Sequence, residues 1–257
     1  MIPTRPVLPG AAADWELHDR LPRTLPPDVI REINPPSRAI HEHRRYSWNG
    51  WDFDLPPGVF QPGATSRLVH SRLLDGTLPV TDLRYAAMGA GLGVEAVVAG
   101  VRGAAAVYAL DVHPESVRTT VKHYEEIVGP AGPPLHPVVA DVWEGFPDGV
   151  QVDVVTFNPP AIELPLSDDP DIARNLCVGR EIAERFFAQL VGRDLLAPGG
   201  VVYLIVSNTA PLREIVAIAL HAGFGAEIVH VEDWPGDDVR TYLFALRRAA
   251  ARPASDR

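Results

Sequence analysis

Between Leu83 and Leu246 the apolar residues fall into two alternating patterns: continuous runs of five or six, and stretches where they recur every three or four positions. A continuous run is the mark of a strand buried on both faces, and the three-to-four period that of a helix with one buried stripe. Their alternation predicts a parallel sheet covered by helices on both sides. Strands are expected at 83–88 (LRYAAM), 105–110 (AAVYAL), 136–140 (HPVVA), 152–157 (VDVVTF) and 201–206 (VVYLIV). Helical stripes are carried by Val94, Val97, Val98 and Val101, by Val117, Val121, Tyr124 and Val128, by Ile182, Phe186 and Leu190, and by Leu212, Ile215, Val216 and Ala219. Pro114 suits a first helical turn, and APGG at 197–200 reads as the stop after the third stripe. The last two runs, 226–233 and 239–246, lie close enough in sequence to pair antiparallel. The sum is an α/β, Rossmann-like three-layer sandwich: a seven-stranded, mostly parallel sheet whose last strand is inserted antiparallel.

Upstream the pattern weakens. Residues 1–40 are proline-rich with two weak helical stretches, Ala11 to Arg20 and Pro27 to Ile33. Asn49-Gly50, between aromatic alternating segments, calls for the positive torsions of a tight hairpin turn. Leu68, Val69 and Leu73 suggest a helix over 64–74 that leads into the core. The expected organisation is an N-terminal arm and β-hairpin over 1–62 forming a substrate lid, a main domain over 63–250 and a tail over 251–257. Trp48 and Trp51 serve either cross-strand packing or substrate contact.

Composition narrows the classes. With 46% apolar and 22% charged residues in 257, a sizeable core is expected. A single cysteine, Cys177, excludes an internal disulfide framework and a clustered cysteine metal site, and fits a reducing compartment, so the cytoplasm is the expected location. No signal pattern or membrane span is read, and no membrane partner is expected. A net charge of −10 disfavours a phosphate backbone as partner, so no nucleic acid is expected. His41 and His43 in HEHRR have a spacing open to a metal on a strand, but no third ligand stands nearby in sequence; they read as a solvated face, and no metal is expected. Oligomeric state is not legible.

The chemistry sits at strand ends. MGAGLGVEA joins the first strand to the first helix, with glycines at 89, 91 and 93 that let backbone amides approach a ligand. The spacing departs from the dinucleotide fingerprint, because the third glycine comes one residue early. Asp111 ends the second strand where a ribose-binding acid is wanted, so the loop alone leaves a nicotinamide enzyme and a nucleoside-cofactor enzyme both open. Asp111, Asp141 and Asn158 follow three successive strands, and in an open parallel sheet such ends line one crevice. Each alone is also of a residue type that caps helices. Ser207 and Asn208 read as a cap before Pro211, SDDPD at 167–171 as a solvated loop, and nothing near Cys177 argues for a nucleophile.

Taken in order, GAGLG, ALDVHPESV, VADVWEGFP and FNPPA resemble the class I S-adenosylmethionine-dependent methyltransferases, over about Tyr46 to Leu246. NPP after the fourth strand, with PPGVFQPGATSRLV upstream, resembles the HemK/PrmC branch, which methylates a glutamine side-chain amide. The resemblance implies S-adenosyl-L-methionine as cofactor, held by Gly89, Ala90, Gly91, Gly93, Asp111, Val112, Asp141, Val142 and Asn158. It implies Asn158 and the Pro159 carbonyl as catalytic acceptors for the nitrogen's hydrogens, with Phe60, Gln61, Ala161 and Ser207 facing the substrate.

Three departures qualify it. Ala87 stands where the motif has an acid two residues before the first glycine, Ala161 stands where an aromatic follows NPP, and a proline-rich stretch replaces the long helical N-terminal domain of the protein-glutamine enzymes. The expected activity is therefore N-methylation of an amide or amino nitrogen on a small molecule or peptide. Two alternatives stand beside it. One is a cyclase that turns the cofactor's own amine on its γ-carbon, giving azetidine-2-carboxylate and methylthioadenosine; the other is an inactive binding module of the same fold.

Overall fold

The computed structural model describes residues 11–236 and 238–248; the expected tail at 251–257 lies outside them. Two helices, α1 (Ala11–Arg20) and α2 (Pro27–Ile33), and a 3₁₀ turn at Arg38–His41 precede a hairpin of β1 (Arg44–Trp48) and β2 (Trp51–Leu55). Asn49 and Gly50 have φ of 53° and 78°, the left-handed pair that this turn demands. Helix α3 (Ala64–Asp75) enters the main domain and ends on Gly76, left-handed at φ 84°.

Strands and helices then alternate: β3 (Arg84–Met88), α4 (Val94–Val101), β4 (Ala106–Asp111), α5 (Pro114–Ile127), β5 (Leu135–Val139), β6 (Val152–Phe157), α6 (Pro170–Leu176), α7 (Glu181–Gly192), β7 (Leu196–Ser207), α8 (Leu212–His221), β8 (Phe224–Asp233) and β9 (Arg240–Arg248). The sheet order is β5-β4-β3-β6-β7-β9-β8, parallel except for β9, which pairs antiparallel with both neighbours. Strand order reverses between β3 and β6, so their carboxyl ends flank the crevice of the sheet.

Each central strand feeds two cores because successive side chains leave opposite faces. Ala86, Met88, Leu110, Val155 and Phe157 pack with Phe186 and Leu190 of α7 and Ile215 of α8. Tyr85, Ala87, Val107 and Val154 pack with Val69 and Leu73 of α3, Val97 and Val98 of α4, and Phe53 and Leu55 of the hairpin. At the opposite end from the crevice, Arg84 Nε and Nη2 donate to the two Asp153 carboxylate oxygens at 2.9 and 2.8 Å, tying the starts of β3 and β6.

Four expectations need correction. Val101 is 47% exposed, because α4 ends there; the helix buries Val94, Ala96, Val97, Val98, Ala99 and Gly100 instead. APGG does not stop a helix: α7 ends at Gly192, and Ala197–Gly200 bulge out of β7, whose register on β6 jumps from Val152↔Leu196 to Val154↔Val201. SDDPD is not only a loop, since Asp169 caps α6 by accepting from the amides of Asp171 and Ile172, with Pro170 at its first position. Ser207 and Asn208 do not cap α8, whose N-cap is Pro211 without a side-chain bond.

Candidate active site

The carboxyl ends of β3, β4 and β6, with the turn after β5, open into a cavity of about 740 Å³, within the range of small-molecule sites. Gly89, Ala90, Gly91, Asp111, Val112, Asp141, Val142, Asn158, Pro159, Ala161, Phe60 and Ser207 all line it. Gly93 and Gln61 are not among the lining residues. Gly93 is a packing residue: a Cβ there would lie 2.8 Å from Thr120 Cα of α5, and its φ is +87°. Gln61 is exposed and its Oε1 accepts from Arg44 of the hairpin.

The glycine loop is held by its neighbour strand. The amides of Gly89 and Ala90 donate to Leu110 O at 2.9 and 2.8 Å. Gly91 N donates to Asp111 Oδ2 at 2.8 Å, and His113 N to Asp111 Oδ1 at 2.8 Å. Burial pushes the Asp111 carboxyl up, while those two amides pull it back. Each oxygen keeps a lone pair for a ligand hydroxyl. Gly89 and Gly91 are left-handed, and a Cβ on Gly89 would stand in open space, so the glycine leaves room for a ligand against the backbone. Asp141 pairs with Arg185 of α7. After it, Val142 is buried at φ 57°, a conformation that β-branched residues rarely adopt and that costs on the order of 1–3 kcal/mol.

At the end of β6, Asn158 Nδ2 donates to Ser66 Oγ of α3 at 3.3 Å, and its Oδ1 has no hydrogen-bond partner among the described residues. The chain then folds tightly. Pro159 O accepts from Ala161 N at 2.8 Å, and Pro160 O accepts from Val178 N at 2.7 Å, tying NPP to the end of the α6 segment. Ala161 is buried and bridges to Cys177.

Several lining residues were not legible in the sequence. Ser66 and His70, at i and i+4 of α3, present two buried polar groups on the face of Val69 and Leu73; polar members of a buried stripe were the missed signal. Glu95 of α4 joins Tyr85 OH and Thr156 Oγ1 in a buried network, and burial raises its carboxyl pKa. Ile33 and Asn34 reach the cavity from α2, and Trp234 from the β8–β9 turn. Trp234 Nε1 donates to Thr241 Oγ1 at 2.8 Å, and Thr241 shares a 2.6 Å bond with Ser207, so Ser207 also steadies the indole.

The hairpin behaves differently. None of β1 or β2 lines the cavity; Trp48 packs edge-on against His70, and Asp54 N donates to His123 Nε2 of α5. His43 turns to Asp54. His41 does gain neighbours that sequence distance hid: Asp169 Oδ2 lies 2.6 Å from its Nε2 and Asp171 Oδ2 3.6 Å from its Nδ1, in a partly exposed group that is not itself among the cavity-lining residues. Among the described residues no helix is long and apolar enough to cross a membrane.

No family model and no curated protein matches the sequence. Solved structures do match the fold. The chain is similar to the E. cuniculi Mtq2–Trm112 complex responsible for methylation of the eRF1 translation termination factor, at 23% identity and TM-score 0.54, covering 75% of this chain and 99% of that one. It is similar to the T. thermophilus 16S rRNA N2 G1207 methyltransferase RsmC, described with AdoMet and guanosine, at 20% identity and TM-score 0.56, covering 83% of this chain and about half (52%) of that one. It is similar as well to a precorrin-6y C5,15-methyltransferase from Geobacter metallireducens, at 16% identity and TM-score 0.51, covering 74% and 94%. The chain thus has the Rossmann-like fold of these methyltransferases.

Proposed function

We propose that the protein is an S-adenosyl-L-methionine-dependent N-methyltransferase acting on an amide or amino nitrogen of a small molecule or peptide. Its nearest mechanistic kin would be the HemK/PrmC branch. The observation that carries this reading is Asn158, at the sheet's switch point, with its amide nitrogen committed to Ser66 and its oxygen free.

The fit to the cofactor rests on the glycine loop and its acids. Gly89 and Gly91 keep side chains out of the space beside the backbone, and Asp111 offers lone pairs to ribose hydroxyls while it clamps the loop. Asp141 and Val142 border the region after β5 and would take the adenine. Bound there, S-adenosyl-L-methionine would supply an electrophilic methyl group on its sulfonium.

The protein's own contribution is alignment. Asn158 Oδ1 accepts one hydrogen of the acceptor nitrogen, and the remaining lone pair of Pro159 O accepts another, which fixes the direction of the nitrogen lone pair. Neither oxygen is basic enough to remove a proton, so the proton displaced by the new C–N bond leaves to water. Trp234, which lines the cavity, would offer the acceptor an aromatic contact that Ala161 cannot, worth about 1 kcal/mol.

The test is incubation with S-adenosylmethionine alone and then with amino acids or glutamine-containing peptides, followed by mass analysis of the products. Adenosylhomocysteine that forms only when an acceptor is added supports the reading. Methylthioadenosine from protein and cofactor alone would replace it with the cyclase. No calorimetric binding of adenosylhomocysteine would leave only a binding module of other specificity.

A further inference from the structure

Position 87 carries no acid, yet a carboxylate stands beside it. Ala87 is paired in register with Thr156 across the β3–β6 seam. Thr156 Oγ1 donates to Glu95 Oε2 and accepts from Tyr85 OH at 2.5 Å; Tyr85, two residues before Ala87 on the same face, also brings its hydroxyl within 3.3 Å of Oε2. Glu95 comes from the first turn of α4 rather than from the strand; it lines the cavity, and 16% of its side chain is exposed.

Its partners leave it short of positive charge. Both hydroxyls lie on the Oε2 side, while the nearest cationic candidate for Oε1 is His70 Nε2 at 3.8 Å, beyond hydrogen-bond range. Burial, with Arg67 nearby, holds the His70 pKa at about 3, so this ring is uncharged at neutral pH. The cavity's other acids are engaged: Asp111 takes two backbone amides and Asp141 takes Arg185. Among the described residues, Glu95 alone of the three has neither an amide nor a charged cation. Burial also raises its pKa, so its ionised form is held at a cost that an ammonium group in contact would relieve.

We propose that Glu95 receives the α-ammonium group of the cofactor's methionyl tail, replacing from helix α4 the acid that strand β3 lacks. The inference rests on the cavity being an S-adenosylmethionine site. It also gives the three acids an order along the sheet: Asp141 after β5, Asp111 after β4, and Glu95 over the β3–β6 seam. That is the order of adenine, ribose and amino-acid tail. The sulfonium has no hydrogen to donate, so the ammonium is the one cationic donor of the ligand that a carboxylate in this place can bond. An ammonium so held stays protonated and is no nucleophile, which counts against the cyclase.

The experiment is titration calorimetry of wild type and Glu95→Gln with two ligands: S-adenosylhomocysteine and methylthioadenosine, which lacks the amino-acid tail. Glutamine keeps the size and can still accept from Thr156. The expected result is S-adenosylhomocysteine binding weakened about 10- to 100-fold in the variant, as for loss of a charged hydrogen bond, with methylthioadenosine binding unchanged. Equal weakening of both ligands, or of neither, overturns the inference while leaving the cofactor reading intact. If the variant does not fold, wild type alone decides: an S-adenosylhomocysteine analogue without its α-amino group must bind more weakly than the parent, and equal binding refutes the assignment. Should wild type bind none of these nucleosides, the cofactor reading fails first and this one with it.

Discussion

At the scale of single residues, the site depends on which half of a polar group is already used. Asn158 spends its NH₂ on Ser66 and keeps its oxygen, so Asn158→Ala should remove an orienting acceptor without disturbing the cavity wall. Single-turnover methyl transfer is expected to fall roughly 100- to 1000-fold, while calorimetric affinity for S-adenosylhomocysteine stays nearly the same. A matching loss of affinity would make Asn158 a cofactor residue rather than an aligning one. Asn158, Asp111 and Asp141 were legible because each follows a strand whose apolar run ends abruptly. Glu95 was not, for a physical reason: its carboxylate meets Tyr85 and Thr156 only after three elements pack, and no local period reports that meeting.

Among elements, α4 and α5 approach closely at the glycine that opens α4. Gly93 sits where any side chain would collide with the backbone of Thr120, and its left-handed torsion already favours glycine. Gly93→Ala should therefore cost about 2–4 kcal/mol, or roughly 5–15 °C in melting temperature, measured by calorimetric unfolding. The third glycine of the loop thus serves packing, which the ligand-centred reading of GAGLG did not separate from binding. Elements with long periodic stripes were legible almost to their ends, since burial on one face leaves a pattern that local sequence retains. Short ones were not. Helix α6 has seven residues and one buried side chain, Ile172, so its only signal was the Asp169-Pro170 cap. The bulge at Ala197–Gly200 imitated a helix stop because proline and glycine serve both purposes.

For the whole molecule, acid stability divides between the two ends of the sheet. Away from the cavity, the hydrogen bonds and charge of Arg84 hold Asp153 below its ordinary value of 3.8. That stabilisation is complete above the unfolded value and disappears as pH falls through the lower folded one. Asp153→Asn should cost about 1 kcal/mol at neutral pH, discounted for partial exposure, and nothing in strong acid, as read from urea unfolding. In the cavity, Glu95 and Asp111 are shifted upward, so their contribution has the opposite sign: present at low pH and lost as pH rises through their folded values. A bound ligand that favours their ionised forms offsets that loss.

The start of the described chain is clasped to the far edge of the sheet. Trp15 of α1 lies edge-on to His221, Arg213 of α8 donates to Leu21 O, and Asp14 Oδ1 accepts the amide of Ala226 on β8 at 2.9 Å. Since β8 is an outermost strand, that carboxylate occupies a backbone group open to an incoming strand from another molecule. Helix α1 thus closes one backbone position of this outer strand, and trimming it away would return the Ala226 amide to any extended segment that came alongside.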